Sequence, residues 1–66
     1  MGNEINKKIK DKLINLSNII RAEQRDLLIE AANFNSMPNK SLLRQIAELE
    51  LNITAIDNTI AEYEEE

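Results

Sequence analysis

Apolar side chains recur at a regular helical spacing through the second half of the chain. The step between them alternates between four and three residues, with no polar interruption, through Leu42, Ile46, Leu49, Ile53, Ile56, Ile60 and Tyr63. Side chains at this spacing lie along one face of an α-helix. The pattern therefore predicts a helix over about 41–64 with one apolar seam.

The first half carries a similar but interrupted pattern. The same alternation is followed first by Ile9, Leu13, Leu16 and Ile20, and its continuation would bring Glu23 and Glu30 into the seam. Burial of an unpaired carboxylate is expensive, so we expect the frame to shift by one residue after Ile20. Such a stutter locally unwinds the seam. The shifted seam continues through Gln24, Leu27, Ala31 and Phe34, which predicts a helix over about 4–34.

Gln24 is the polar side chain of this shifted seam, and two interpretations of it stay open. Its amide could hydrogen-bond the same residue of a second copy and so fix register and oligomeric state. Alternatively, it lies at the edge of the seam and reaches water.

A short polar segment separates the two helices. Pro38 lacks a backbone donor and biases Met37 away from helical geometry, so the turn is expected over 35–40. Asn39 or Ser41 is suited to cap the second helix. A connection this short makes the helices antiparallel neighbours. The predicted fold class is an all-α antiparallel helical hairpin, one domain over 1–66, folded about residue 37.

The net charge of −4 is distributed unevenly. Folding about residue 37 brings Lys8 and Lys12 beside the acidic end of the chain, which carries Glu62, Glu64, Glu65 and Glu66. Cations at the start of a helix and anions at the end of a helix both interact unfavourably with the helix dipole. The two clusters are therefore more stable if they screen each other. The alternative is an acidic end that stays frayed and solvated.

Five large apolar residues lie on flanking or outward faces of the predicted helices. They are Ile14, Ile19, Ile29, Leu43 and Leu51. In a chain this short they indicate a second buried surface. We expect self-association into a four-helix bundle, with a dimer as the first expectation, or a higher oligomer. A helix of a different protein is the main alternative occupant.

Composition excludes much chemistry. The chain contains neither Cys nor His, which removes thiolate and imidazole metal sites, cysteine nucleophiles and serine–histidine catalysis. Carboxylates three residues apart, as in Glu23 with Asp26 or Glu62 with Glu65, could form a loose Mg²⁺ or Ca²⁺ site at best. We therefore expect no enzymatic activity, no cofactor and no metal.

A nucleic-acid interface is the alternative function. Six basic residues lie along the first helix, namely Lys7, Lys8, Lys10, Lys12, Arg21 and Arg25. Helical dimers can bind RNA through such residues, but Phe34 and Tyr63 are the only aromatic residues available to stack on bases. Both fall in the predicted seams, so contact with nucleic acid is the less favoured expectation.

The remaining sequence features concern location and setting. We expect no secretory leader and no membrane-spanning segment, because no apolar run is long enough to cross a membrane, and with no Cys this favours the cytoplasm. Its abundance of Ile, Asn and Lys is typical of AT-rich coding, as in some bacteria and phages. The sequence as a whole predicts a non-enzymatic protein-binding module, such as a small regulator, inhibitor, adaptor or assembly chaperone.

Overall fold

The computed structural model describes residues 3–64 and has two helices. Helix α1 covers Asn3–Ala32 and helix α2 covers Lys40–Glu64. They pack against each other along their length, in a rod 54 Å long and 14 Å across between Cα atoms. The predicted all-α antiparallel hairpin is therefore confirmed.

The turn follows from local hydrogen bonding. The amides of Asn33 and Phe34 bond the carbonyls of Glu30 and Ala31, both at 3.2 Å, which tightens the end of α1. Asn39 Oδ1 then accepts the amide of Leu42 at 2.8 Å, so Asn39 caps α2. Helix α1 ends two residues earlier than the sequence pattern indicates.

The seam of α2 is the one the sequence predicts. Leu42 and Ile53 are buried, with 6% and 3% of their surfaces exposed. The other five seam residues, Ile46, Leu49, Ile56, Ile60 and Tyr63, are half-buried. Helix α2 therefore presents one continuous apolar face to α1.

The predicted seam of α1 is wrong in part. Leu16 is 43% exposed, whereas its neighbour Ser17 is 4% exposed. Phe34 lies beyond the helix and is also exposed. The buried and half-buried residues of α1 include an unbroken alternation of four and three, through Asn6, Lys10, Leu13, Ser17, Ile20, Gln24, Leu27 and Ala31. No stutter is needed.

This difference follows from the free-energy cost of burying carboxylates. A straight helix presents one frame along its whole length, and the frame through Leu16 leads to Glu23 and Glu30. Rotating α1 to place Ser17 and Gln24 at the seam leaves both glutamates exposed. The polar groups placed there are a buried hydroxyl and a half-buried amide, which cost less than carboxylates when they are hydrogen-bonded.

Three contacts between the helices fix their register. They join Lys10 to Glu64, Ser17 to Asp57, and Gln24 to Glu50, and each pair is centred on residue 37, as predicted. Lys10 Nζ lies 3.5 Å from Glu64 Oε2, so a lysine does meet the acidic end of the chain, although it is neither Lys8 nor Lys12. The expected contacts of Glu65 and Glu66 lie outside the described residues.

Between residues 3 and 64, neither helix has an apolar segment long enough to cross a membrane.

Candidate protein-interaction surfaces

A polar network joins the two helices near the middle of α1. Ser17 Oγ donates to Asp57 Oδ1 at 3.1 Å and accepts from Arg21 Nε at 3.2 Å. The Arg21 guanidinium also donates to Asp57 Oδ2, which closes a three-membered ring of side chains. Ser17 is one turn before Arg21 on α1, so a single stretch of helix supplies both partners of Asp57.

The chemistry of this network is that of a structural contact. Ser17 Oγ is buried and both donates and accepts, so its bonding capacity is used within the hairpin. A substrate would have to displace the hairpin packing to reach the hydroxyl. The network therefore ties α1 to α2 at one register.

Gln24 makes the second polar contact across the seam. Its Nε2 donates to Glu50 Oε1 at 2.9 Å and to the carbonyl of Ile46 at 3.4 Å. Both partners lie on α2 of the same chain. The amide therefore bridges the hairpin itself, with its two donor hydrogens directed within the molecule.

The five predicted partner-contact residues are exposed. Ile14 and Leu43 are exposed least, whereas Ile19, Ile29 and Leu51 are more than half exposed. The structure does not bring the five onto one face. Helical spacing places Ile14 and Leu43 on one side of the hairpin but far apart along it, and Ile29 and Leu51 on the outer sides of different helices.

A stripe on α1 gathers exposed apolar residues more closely. The outer stripe of α1 is the row, at alternating steps of four and three, through Ile5, Ile9, Lys12, Leu16, Ile19, Glu23, Asp26 and Glu30. Ile9 is half-buried and the other seven are exposed. Its apolar members all fall in the first two-thirds of the helix, and only Ile19 was predicted as a contact.

A second exposed cluster lies at the turn. The turn-end patch consists of Leu28, Phe34, Met37 and Leu43, and Met37 is 80% exposed. Leu28 and Leu43 occupy the same side of α1 and α2 close to the turn, as helical spacing requires. The sequence prediction identified only Leu43 of this group. It placed Phe34 in the seam and did not name Leu28 or Met37 as contacts.

A shallow groove runs between the helices beside the outer stripe. It has a volume of about 190 Å³ and is lined by Glu23, Leu27, Gln45, Glu48, Leu49 and Asn52. Its floor is apolar and two glutamates border it. A groove of this volume is smaller than the sites that enclose drug-sized ligands.

The basic residues of α1 do not form one surface. Lys10 and Arg21 contact Glu64 and Asp57 within the hairpin. The others are exposed and fall into two pairs on different sides of the helix, Lys8 with Lys12 and Lys7 with Arg25, and the second pair is separated by 18 residues. This arrangement offers no continuous track for a phosphate backbone.

Carboxylates do not converge either. Among residues 3–64 no three or more metal-ligating side chains come together. Glu23 and Asp26 are both exposed on the outer stripe. The second predicted pair, Glu62 with Glu65, lies partly outside the described residues.

Sequence reasoning missed the residues that hold the helices together across the seam. Ser17 and Asp57 are polar, so a search for apolar periodicity passes over them. The spacing was nevertheless visible, since Ser17 lies four residues after Leu13 and three before Ile20. A serine at a seam position with an arginine one turn later is the signal that could have found the network.

Comparison with known proteins gave no matching family, no matching curated protein and no matching solved structure.

Proposed function

We propose that the chain is a non-enzymatic protein-interaction module that acts through the apolar faces of its hairpin and binds, first of all, a second copy of itself. One observation carries this proposal. Within residues 3–64, the buried apolar side chains are Leu42 and Ile53, whereas ten large apolar side chains are exposed. A monomer therefore leaves half of the large apolar side chains in this range exposed to water.

The free-energy balance of folding favours association. Ordering a residue costs about 1–2 kcal/mol of backbone entropy, and chains of this length seldom bury enough apolar surface to offset it alone. Pairing of two hairpins removes exposed apolar surface from water without lengthening the chain. Two hairpins give a four-helix dimer, which is the assembly expected from the sequence.

Mass and stability across a concentration series test this function. We expect sedimentation equilibrium to give a mass that rises above the 7.6 kDa of one chain, and a melting temperature that rises with concentration, as it does for a protein stabilised by its own association. A fully helical monomer from micromolar to millimolar concentration would contradict self-association.

A small regulator, inhibitor, adaptor or assembly chaperone could use the same property on a different protein. Leu51 is 71% exposed on the outer side of α2, so its surface is the place to test for such a partner. Leu51→Glu should abolish binding of a purified partner, and Asn58→Glu, which places the same charge on the same side of α2, should retain it. Undiminished binding by Leu51→Glu would exclude this surface.

A further inference from the structure

We propose that the second copy docks antiparallel on the outer stripe of α1, with Lys12 of each chain beside Glu23 of the other. This inference rests on the self-association proposed above and specifies its surface and geometry. The stripe is a helix face that α2 leaves exposed in the hairpin, apart from the half-buried Ile9.

Charge divides the outer stripe into two unlike halves. Its first half carries Lys12, and its second half carries Glu23, Asp26 and Glu30. Lys8 lies one turn before Lys12 and reinforces the positive half. Between the two charged ends lie Leu16 and Ile19, both exposed. Ile5 and Ile9 precede Lys12, so the face is apolar, then positive, then apolar, then negative along the helix.

The stripe charges lack opposite partners along α1. No acidic residue lies three or four positions from Lys12, and no basic residue lies three or four positions from Glu23. The residues at those spacings include like charges instead, Lys8 beside Lys12 and Asp26 beside Glu23. Like charges one turn apart destabilise a helix. Among residues 3–64 the ion pairs are Lys10–Glu64 and Arg21–Asp57, so neither engages these two residues.

Antiparallel docking of a second copy matches the central residues of the stripe in charge and in apolar character. Pairing about a point between residues 17 and 18 sets Leu16 against the partner copy's position 19 and Lys12 against its position 23. The same pairing operates in the reverse direction, as two-fold symmetry requires. Leu16 and Ile19 then meet in the centre, and one pair of opposite charges flanks them on each side. Further out, Ile9 and Ile5 face the acidic positions 26 and 30 of the partner copy, and Lys8 is the nearby cation. A parallel pairing would instead set Lys12 against itself and Glu23 against itself.

The centre of this pairing coincides with the middle of helix α1. Helix α1 covers Asn3–Ala32, so its midpoint also falls between residues 17 and 18. The charge pattern therefore selects the register in which the two α1 helices overlap over their full length. Any other register would shorten the contact and misalign the charges.

Charge-reversal variants test the pairing. We expect Lys12→Glu and Glu23→Lys each to weaken dimerisation about tenfold, since each places like charges together at two symmetric sites. The double variant should bind within about threefold of the wild type, because the pair is restored with its direction reversed. Residues 12 and 23 are about 16 Å apart along one helix, so this rescue cannot arise within a chain.

Mixing the two single variants sharpens the test. In a heterodimer of Lys12→Glu with Glu23→Lys, both contacts join opposite charges, so the mixture should dimerise more tightly than either variant alone. Arg25→Glu and Glu62→Lys are the matched controls, because they make the same charge changes at exposed residues outside the stripe. Their dimerisation should stay within about twofold of the wild type.

Cross-linking tests the orientation. The chain contains no Cys, so Lys12→Cys and Glu23→Cys each introduce a single thiol. Upon oxidation we expect a disulfide between the two variants in a mixture and little within either alone, because a disulfide requires its Cα atoms within about 7 Å. Lys12→Cys that cross-links to itself would overturn the antiparallel pairing.

The outcomes distinguish the proposed pairing from the self-association on which it rests. A dimer that is indifferent to the charge reversals, or that the double variant does not restore, overturns the pairing and leaves self-association standing. A chain that remains monomeric throughout overturns both.

Discussion

At the scale of single residues, the buried hydroxyl of Ser17 and the half-buried amide of Gln24 decide how the helices meet. Ser17 and Gln24 take seam positions that apolar side chains would usually fill, and each hydrogen-bonds α2. Because Ser17 Oγ is satisfied as both donor and acceptor, its burial carries no large desolvation penalty. An out-of-register pairing would lose the bonds to α2 and leave the Ser17 hydroxyl hydrogen without its acceptor at the seam.

Removal of the Ser17 hydroxyl tests this role. We expect Ser17→Ala to lower the free energy of unfolding by about 1–2 kcal/mol, because Arg21 Nε and Asp57 Oδ1 each lose a partner at the seam. Asn18→Ala is the control, since Asn18 is exposed on the same turn and its replacement should change stability by less than about 0.5 kcal/mol. Urea unfolding at one fixed protein concentration measures both. Equal stabilities of the two variants would show that the network does not hold the hairpin.

At the scale of elements, the two helices divide their apolar residues differently. Helix α2 keeps all its large apolar residues except Leu43 and Leu51 on its seam, so the face turned to α1 is apolar along its length. Helix α1 has Asn6, Lys10, Ser17 and Gln24 on its seam, and some of its apolar residues fall on the outer stripe instead. The same rotation that spares Glu23 and Glu30 from burial therefore leaves an apolar surface for another chain.

Alanine substitutions on α2 test the division between seam and surface. Ile53→Ala should cost about 2–5 kcal/mol of unfolding free energy, because the buried side chain leaves a cavity in the seam. Leu51→Ala, two residues away on the exposed side, should change it by less than about 0.5 kcal/mol. Thermal or urea unfolding gives the comparison. A large loss for Leu51→Ala would place that side chain in an interface within the folded assembly.

At the scale of the whole molecule, a long thin rod has too little interior for its apolar content. The hairpin is 54 Å long but only 14 Å across between Cα atoms, so nearly every side chain borders its surface. Association side by side is the way such a rod can thicken. The proposed pairing about the midpoint of α1 does this with full overlap.

The shape of the dimer in solution tests the overlap. Small-angle scattering should show a longest dimension close to that of the single hairpin, together with twice its mass, because the two α1 helices lie alongside each other. End-to-end association would bring the longest dimension towards twice 54 Å. A scattering curve of that extended form would contradict docking on the outer stripe.

The sequence by itself determined the two helices, the turn at Pro38, the seam of α2 and the pairing about residue 37. These features depend on local geometry and on an apolar period that no polar residue interrupts. Only the tertiary structure decided the rotation of α1, since apolar period favours Leu16 and the hydrogen bonds of Ser17 become visible only when Asp57 lies opposite. Because rotation of a helix also sets which of its faces stays exposed, the outer stripe and its charges could be identified only after the two helices were packed.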